Sequence, residues 1–163
     1  MPDKHTPTVA AWLGYGGLIP FVTLALAAML GGPYADEGDR ALRDYAAVIL
    51  SFVGALHWGF ATMSHEMAAG ARNRAFAWSV IPSLLAWAAL LLAPPASSLL
   101  LTAGFALHFF MDRRFAKQTP LAPWYLPLRF RLTLVACLCL LLGAWPGAGR
   151  HAAAMPASAG AER

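Results

Sequence analysis

Charge is what this chain has least of. Only 12% of its 163 residues are Asp, Glu, Lys or Arg, while 59% are hydrophobic; a soluble domain carries roughly 25% charged residues. A soluble fold could not hide so much apolar surface, and the apolar stretches leave no room for a separate soluble domain. Cysteine is almost as scarce. Cys137 and Cys139 stand two apart in one apolar segment, a spacing that turns their thiols to different sides of a helix. That excludes a disulfide or a metal clip between them and leaves both as small apolar filler. Also missing are a metal motif, a phosphate-binding loop, a nucleophile elbow and a pair of intramembrane carboxylates. No catalytic residue and no metal ligand is therefore assigned, and the chain reads as non-enzymatic. The formal charge of +4 comes from basic residues scattered beside apolar segments. That pattern fits membrane topology rather than nucleic-acid binding.

What is present is a series of apolar runs of spanning length. A transmembrane helix needs about 20 mostly apolar residues. Val9–Leu30 meets this without a charge, carries Gly14, Gly16, Gly17 and Pro20, and stops at Gly31-Gly32-Pro33. It is expected to be a retained first span rather than a cleaved signal, because its apolar part is longer than a signal core. Pro33–Asp44 reads as a short acidic loop, followed by a second span over 45–64, a polar turn, and a third span over 75–93. Pro82 removes a backbone donor from that third span and predicts a local bend, with Ser79 and Ser83 placed to compensate. The fourth run, 96–111, is short for a span. Pro120, Pro123 and Pro127 then predict an irregular interfacial segment before a fifth span over 128–145. Residues 146–163, rich in Ala and Gly without apolar periodicity, read as a disordered tail. The expected fold is an all-α polytopic transmembrane bundle of about five spans.

With five spans, Lys4, Arg72, Arg74, Arg113, Arg114, Lys117, Arg129 and Arg131 fall on one side, against Arg40, Arg43, Arg150 and Arg163 on the other. The positive-inside rule places the first side, with the amino terminus, in the cytoplasm of a bacterial inner membrane.

The residues that could carry chemistry are few. His57 lies within an uninterrupted apolar run, where a titratable side chain is costly and is expected to face the bundle interior. Leu50, Gly54, His57, Ala61 and Ser64 follow the three-and-four spacing of one helical face, and its small residues admit a close neighbour. His57 is thus expected to be hydrogen-bonded across helices, with the third span near Pro82 and Ser83 as its neighbour. His108 and Asp112 share a face four residues apart, an arrangement suited to proton handling or headgroup binding. Trp58, Trp78, Ser83 and Trp87, with His57 and His108, are candidates for a haem, a quinone or another apolar ligand. Asp112, Arg113, Arg114, Lys117, Trp124, Tyr125, Arg129 and Arg131 form a basic, aromatic edge able to hold anionic headgroups or dock a partner, and Arg129 and Arg131 can snorkel outward.

Several short motifs also carry a resemblance. Ser51, Gly54 and His57-Trp58-Gly59, then Trp78-Ser79-Val80-Ile81-Pro82-Ser83 with Trp87, then Pro123-Trp124-Tyr125 with Leu128-Arg129 and Leu132-Thr133 occur in order. Together they resemble the bacterial and mitochondrial domain-of-unknown-function family that includes transmembrane protein 69. The likeness runs from Val9 to Trp145 and omits the tail. It implies a small multi-span protein of the bacterial or mitochondrial inner membrane, and no activity. The expected function is an accessory, scaffold or assembly component, with membrane lipid and either a larger complex or a homo-oligomer as partners. Two alternatives are an apolar-ligand protein built on His57 and His108, and a small oligomeric channel or proton-handling protein.

Overall fold

Glycine and proline cut the chain into rods. The computed structural model describes residues 7–63, 67–118 and 121–144. The first rod consists of α1 (Thr8–Gly16) and α2 (Leu18–Leu30), separated at Gly17. There the Tyr45 hydroxyl donates to the Gly17 carbonyl at 2.9 Å. Gly31 and Gly32 adopt positive φ angles of 74° and 85°, a left-handed turn that ends the rod and that glycine enters without steric cost. The chain then reverses into α3 (Ala35–Met63), followed by α4 (Ala69–Leu90), α5 (Ala96–Phe115) and α6 (Tyr125–Gly143).

Three polar stretches expected as loops are helical instead. The supposed loop at 33–44 forms the opening turns of α3. Asp36 and Glu37 sit in its first turn, where negative charge is favoured by the helix dipole, and two pairs spaced i,i+4 follow, Asp39–Arg43 at 3.3 Å and Arg40–Asp44 at 3.9 Å. At Gly38, an added Cβ would come within 3.1 Å of the Ala28 backbone nitrogen, so the acidic turns pack closely on α2. The second difference is that α4 begins at Ala69 and takes in Arg72, Asn73 and Arg74. The third is that α5 runs to Phe115, past the expected end at Met111, because Asp112 turns into the interior and meets Arg129. At 20 residues it measures about 30 Å, the thickness of the hydrocarbon core. Pro127 falls within the first turn of α6, where its missing N–H costs no helical bond.

Among the described residues the fold is all helical, five rods in sequence, with α3 at the centre packed against α2, α4, α5 and α6. Phe21, Leu42, Leu50, Leu101, Phe105 and Leu140 fill the middle. Pro82 lies inside an unbroken α4 and seats in the notch left by Gly54, where an added Cβ would stand 2.8 Å from Pro82 Cβ. The outer surface is apolar as well, with Trp12 77% exposed and Leu30 83%. Such a surface fits lipid rather than water. Thr8–Leu30, Ala35–Met63 and Tyr125–Gly143 are long and apolar enough to cross a membrane. α4 and α5 have comparable length but carry Arg72 and Arg74 at one end and Asp112, Arg113 and Arg114 at the other. The expected tail at 146–163, like Ser64 and the last residue of the fifth predicted span, lies outside the described residues.

Candidate functional site

The inward faces of three helices meet at one end of the bundle. On α3 the buried stripe runs Leu50, Gly54, His57, Ala61. On α5 it runs Leu101, Phe105, His108, Asp112, Phe115, and on α6 it includes Arg129, Thr133, Ala136 and Leu140. Each stripe follows the three-and-four spacing of a helix face, and each brings a polar group to the same depth.

Asp112 is the hub. Its Oδ2 accepts from Arg129 Nε at 3.0 Å, and its Oδ1 lies 3.5 Å from the Tyr125 hydroxyl. The Nε2 atoms of His57 and His108 each stand 3.7 Å from the same Oδ1. His57, His108, Asp112 and Arg129 are all buried. The imidazole rings of His57 and His108 meet edge to face with centroids 5.0 Å apart. Phe60 and Phe115 stack beside them at 5.7 Å, and Tyr125 closes on Phe60 at 5.5 Å. A buried charge needs partners; the Arg129 guanidinium supplies one from another helix, pinning α5 to α6.

Trp78 fixes the tautomer of His108. Trp78 Nε1 donates to His108 Nδ1 at 3.1 Å, and an indole N–H can only donate. The proton of the neutral His108 ring therefore sits on Nε2, 3.7 Å from Asp112 Oδ1. This bears on metal binding, since His57, His108 and Asp112 can bring one donor atom each within 4.8 Å of one another. A ligating histidine normally donates its other ring N–H outward; here that position receives a hydrogen bond, and the proton occupies the nitrogen a metal would use. The 3.7 Å separations are also wider than the roughly 3.3 Å edge of a tetrahedral zinc site. In this geometry the three side chains crowd one another at 3.7 Å without hydrogen bonds between them. A bis-histidine haem does not fit either, because with the two rings in contact and Asp112 against both Nε2 atoms no macrocycle can stand between them.

His57 differs from His108 in having no hydrogen-bond partner at either nitrogen among the described residues. The expected bond towards Pro82 and Ser83 does not form. Pro82 packs on Gly54, one turn away, and His57 faces α5. Its ring instead forms part of the wall of a cavity of about 410 Å³ between α3, α4 and the end of α5. Trp78, Ala75 and Phe115 continue the wall, and Arg74, Arg114 and Lys117 stand at the mouth.

The other sequence candidates disperse. Trp58 and Trp87 are 56% and 63% exposed and face outward, so only Trp78 of the proposed aromatic set reaches the cluster, while Ser83 is half-buried on α4. Arg113 is exposed, and Trp124 and Tyr125 are half-buried and in contact. Arg131 reaches outward to the Tyr15 hydroxyl at 3.3 Å. Arg129 does not snorkel; it turns inward because its face of α6 is the one shared with Thr133, Ala136 and Leu140. That stripe of small and apolar residues was the available signal. Arg74, Met111 and Gln118, which also line the cavity, had no signal as site residues, since nothing local ties them to His57.

The fold and this cluster define a multi-pass helical membrane protein with a buried polar site at one end. More particularly, the chain belongs to the family described as Protein of unknown function (DUF3429), whose sequence model matches residues 6–145. It is also similar to "Transmembrane protein 69" of Xenopus tropicalis, 37% identical over 142 residues. That match covers 85% of this chain and 54% of the relative, so the chain spans about half the length of the curated protein it matches. No solved structure matches it significantly.

Proposed function

We propose that the chain is a non-enzymatic accessory protein of an energy-transducing membrane, bacterial or mitochondrial, whose working part is a ligand pocket floored by His57. The observation that carries this reading is the His57 ring, 2% exposed, with both nitrogens unpartnered among the described residues and forming part of the wall of a cavity of about 410 Å³. Leaving a buried donor or acceptor unmatched costs about 1–3 kcal/mol, and a bound molecule with a polar group would recover that. The volume falls in the usual range of small-molecule pockets, roughly 300–1,000 Å³.

The charge asymmetry supports an orientation. Among the described residues, Arg72, Arg74, Arg113, Arg114, Lys117, Arg129 and Arg131 gather at the pocket end, against Asp112, while Asp36, Glu37, Asp39 and Asp44 outnumber Arg40 and Arg43 at the other end. The positive-inside rule puts the pocket mouth on the cytoplasmic or matrix side. The channel reading is weaker for one chain, because Phe21, Leu50, Leu101, Phe105 and Leu140 fill the interior beyond the cluster.

The test is native mass spectrometry of the full chain released from membranes in mild detergent, beside His57→Leu, which keeps apolar bulk and removes both nitrogens. The expected result is a bound small molecule on the wild-type chain that is lost from the variant at unchanged yield of folded protein. Identical masses for the two would sink the pocket reading.

A further inference from the structure

We infer that this pocket binds a phosphate-bearing anion. The inference rests on the pocket proposed above and names its ligand class. Three cationic side chains, Arg74 from α4 and Arg114 and Lys117 from the end of α5, line the cavity together with Gln118, and among the described residues no carboxylate does. Among the described residues, none of the three cations is paired with an Asp or Glu. Asp112, the acid buried at this end among the described residues, already holds Arg129 at 3.0 Å, so its charge is answered behind the cavity wall rather than in it.

The helix ends add to the same field. The cavity wall includes Ala71 and Arg74 of the opening turns of α4, whose first turn holds no acidic residue and whose N-cap, Ala68, provides no side-chain bond. An uncapped helix N-terminus favours negative charge, and phosphate in particular. At the end of α5 the carbonyls of Asp112, Arg114 and Phe115 accept from the N–H groups of Ala116, Lys117 and Gln118, which lessens the negative charge that this pole presents. Beneath the basic mouth the wall becomes apolar, formed by Ala75, Trp78, Met111 and Phe115, with the unpartnered His57 ring among them. Charge at the mouth, apolar wall and a buried hydrogen-bonding group together suit a phosphate attached to a less polar body. Arginine recognises phosphate bidentately and lysine as a point charge. Either a phospholipid headgroup entering from the bilayer or a soluble phosphate ester entering from the aqueous side has that chemistry.

The purified full-length chain in a neutral detergent at low salt is titrated, with thermal unfolding as the readout, against four probes. These are inorganic phosphate, glycerol phosphate, short-chain phosphatidic acid, and diacylglycerol of the same chain length. The wild-type chain and Arg114→Ala, Arg113→Ala and His57→Leu are compared. Arg113 is the control, since it changes the net charge equally from a neighbouring position outside the cavity wall. The expected result is a saturable rise in unfolding temperature with a phosphate-bearing probe. Arg114→Ala should weaken it about tenfold, the worth of one charge-assisted hydrogen bond, while Arg113→Ala leaves it within twofold. Saturation by glycerol phosphate would assign a soluble source, and saturation by phosphatidic acid alone a lipid one. Equal weakening by Arg113→Ala and Arg114→Ala would mean diffuse surface attraction and overturn the inference. Equal binding of diacylglycerol and phosphatidic acid, both lost in His57→Leu, would overturn the anion inference while leaving the pocket standing. No saturable response to any probe would remove the anion inference, and a ligand seen by mass spectrometry would then be of another class.

Discussion

Among the described residues two Asp–Arg pairs sit within the bundle, one partly and one fully buried, near opposite ends, and they are built differently. Asp39 and Arg43 stand one turn apart on α3 at 3.3 Å, so the helix itself holds them together and forming the pair orders little else. Asp112 and Arg129 come from α5 and α6, meet at 3.0 Å and are more deeply buried. Their geometry exists only when two rods dock, and two histidines crowd the same carboxylate. The first pair stabilises a helix end; the second fixes how helices meet and shapes the floor of a pocket. A pair that spans elements at a polar cavity is where function is expected, because it is costly to bury and local structure gives no reason for it.

The largest break in this comparison should come from Arg129→Ala. It strands the Asp112 carboxylate and should cost about 3–5 kcal/mol, read as a large fall in unfolding temperature in detergent. The double variant Asp112→Leu with Arg129→Leu sharpens the point, because removing both buried charges should return stability to near the wild-type level while leaving His57 and His108 without the carboxylate they crowd. A smaller effect follows from Gly54→Ala, which sets a methyl group 2.8 Å from Pro82 Cβ and 3.1 Å from the Ser79 carbonyl oxygen. Overpacking of that kind costs about 1–3 kcal/mol. It should also loosen α3 from α4 one turn from His57, which the same melts check. Asp39→Asn should cost less than the Arg129 variant, about 1 kcal/mol or below, as a partly exposed pair one turn apart does. Least of all, Arg40→Ala at the exposed Arg40–Asp44 pair should stay within about 0.5 kcal/mol of wild type. If Asp39→Asn proved as damaging as Arg129→Ala, the contrast between the ends would collapse.

Much of this was legible in the residues. The rods follow from glycine, proline and apolar length, and the Leu50–Gly54–His57–Ala61 face was readable from spacing alone. The same length rule hid the polar helical turns at 35–44, 69–74 and 112–115, because it counts apolar residues, whereas the first of these is held by local charge pairs and the last by inward-facing Asp112. Within the site, His57, His108 and Asp112 stood out as polar groups where polar groups are costly. That they converge, that Trp78 supplies the donor that sets the His108 tautomer, and that Arg129 turns inward depend on contacts 17 to 55 positions apart. No local spacing encodes such contacts. Trp58 and Trp87 misled for the complementary reason, since an aromatic in a membrane helix serves lipid contact as readily as a pocket.

Nitrogen-15 spectra of the histidines in bilayers, assigned with His57→Gln and His108→Gln, test the cluster most directly. The signals should place the proton of the neutral His108 ring on Nε2, and the His57 resonances should move on saturation with the bound phosphate-bearing probe while the His108 tautomer holds. A His108 ring protonated on Nδ1, or a His57 spectrum unchanged when ligand is bound, would contradict a pocket floored by His57 beside a Trp78-fixed His108.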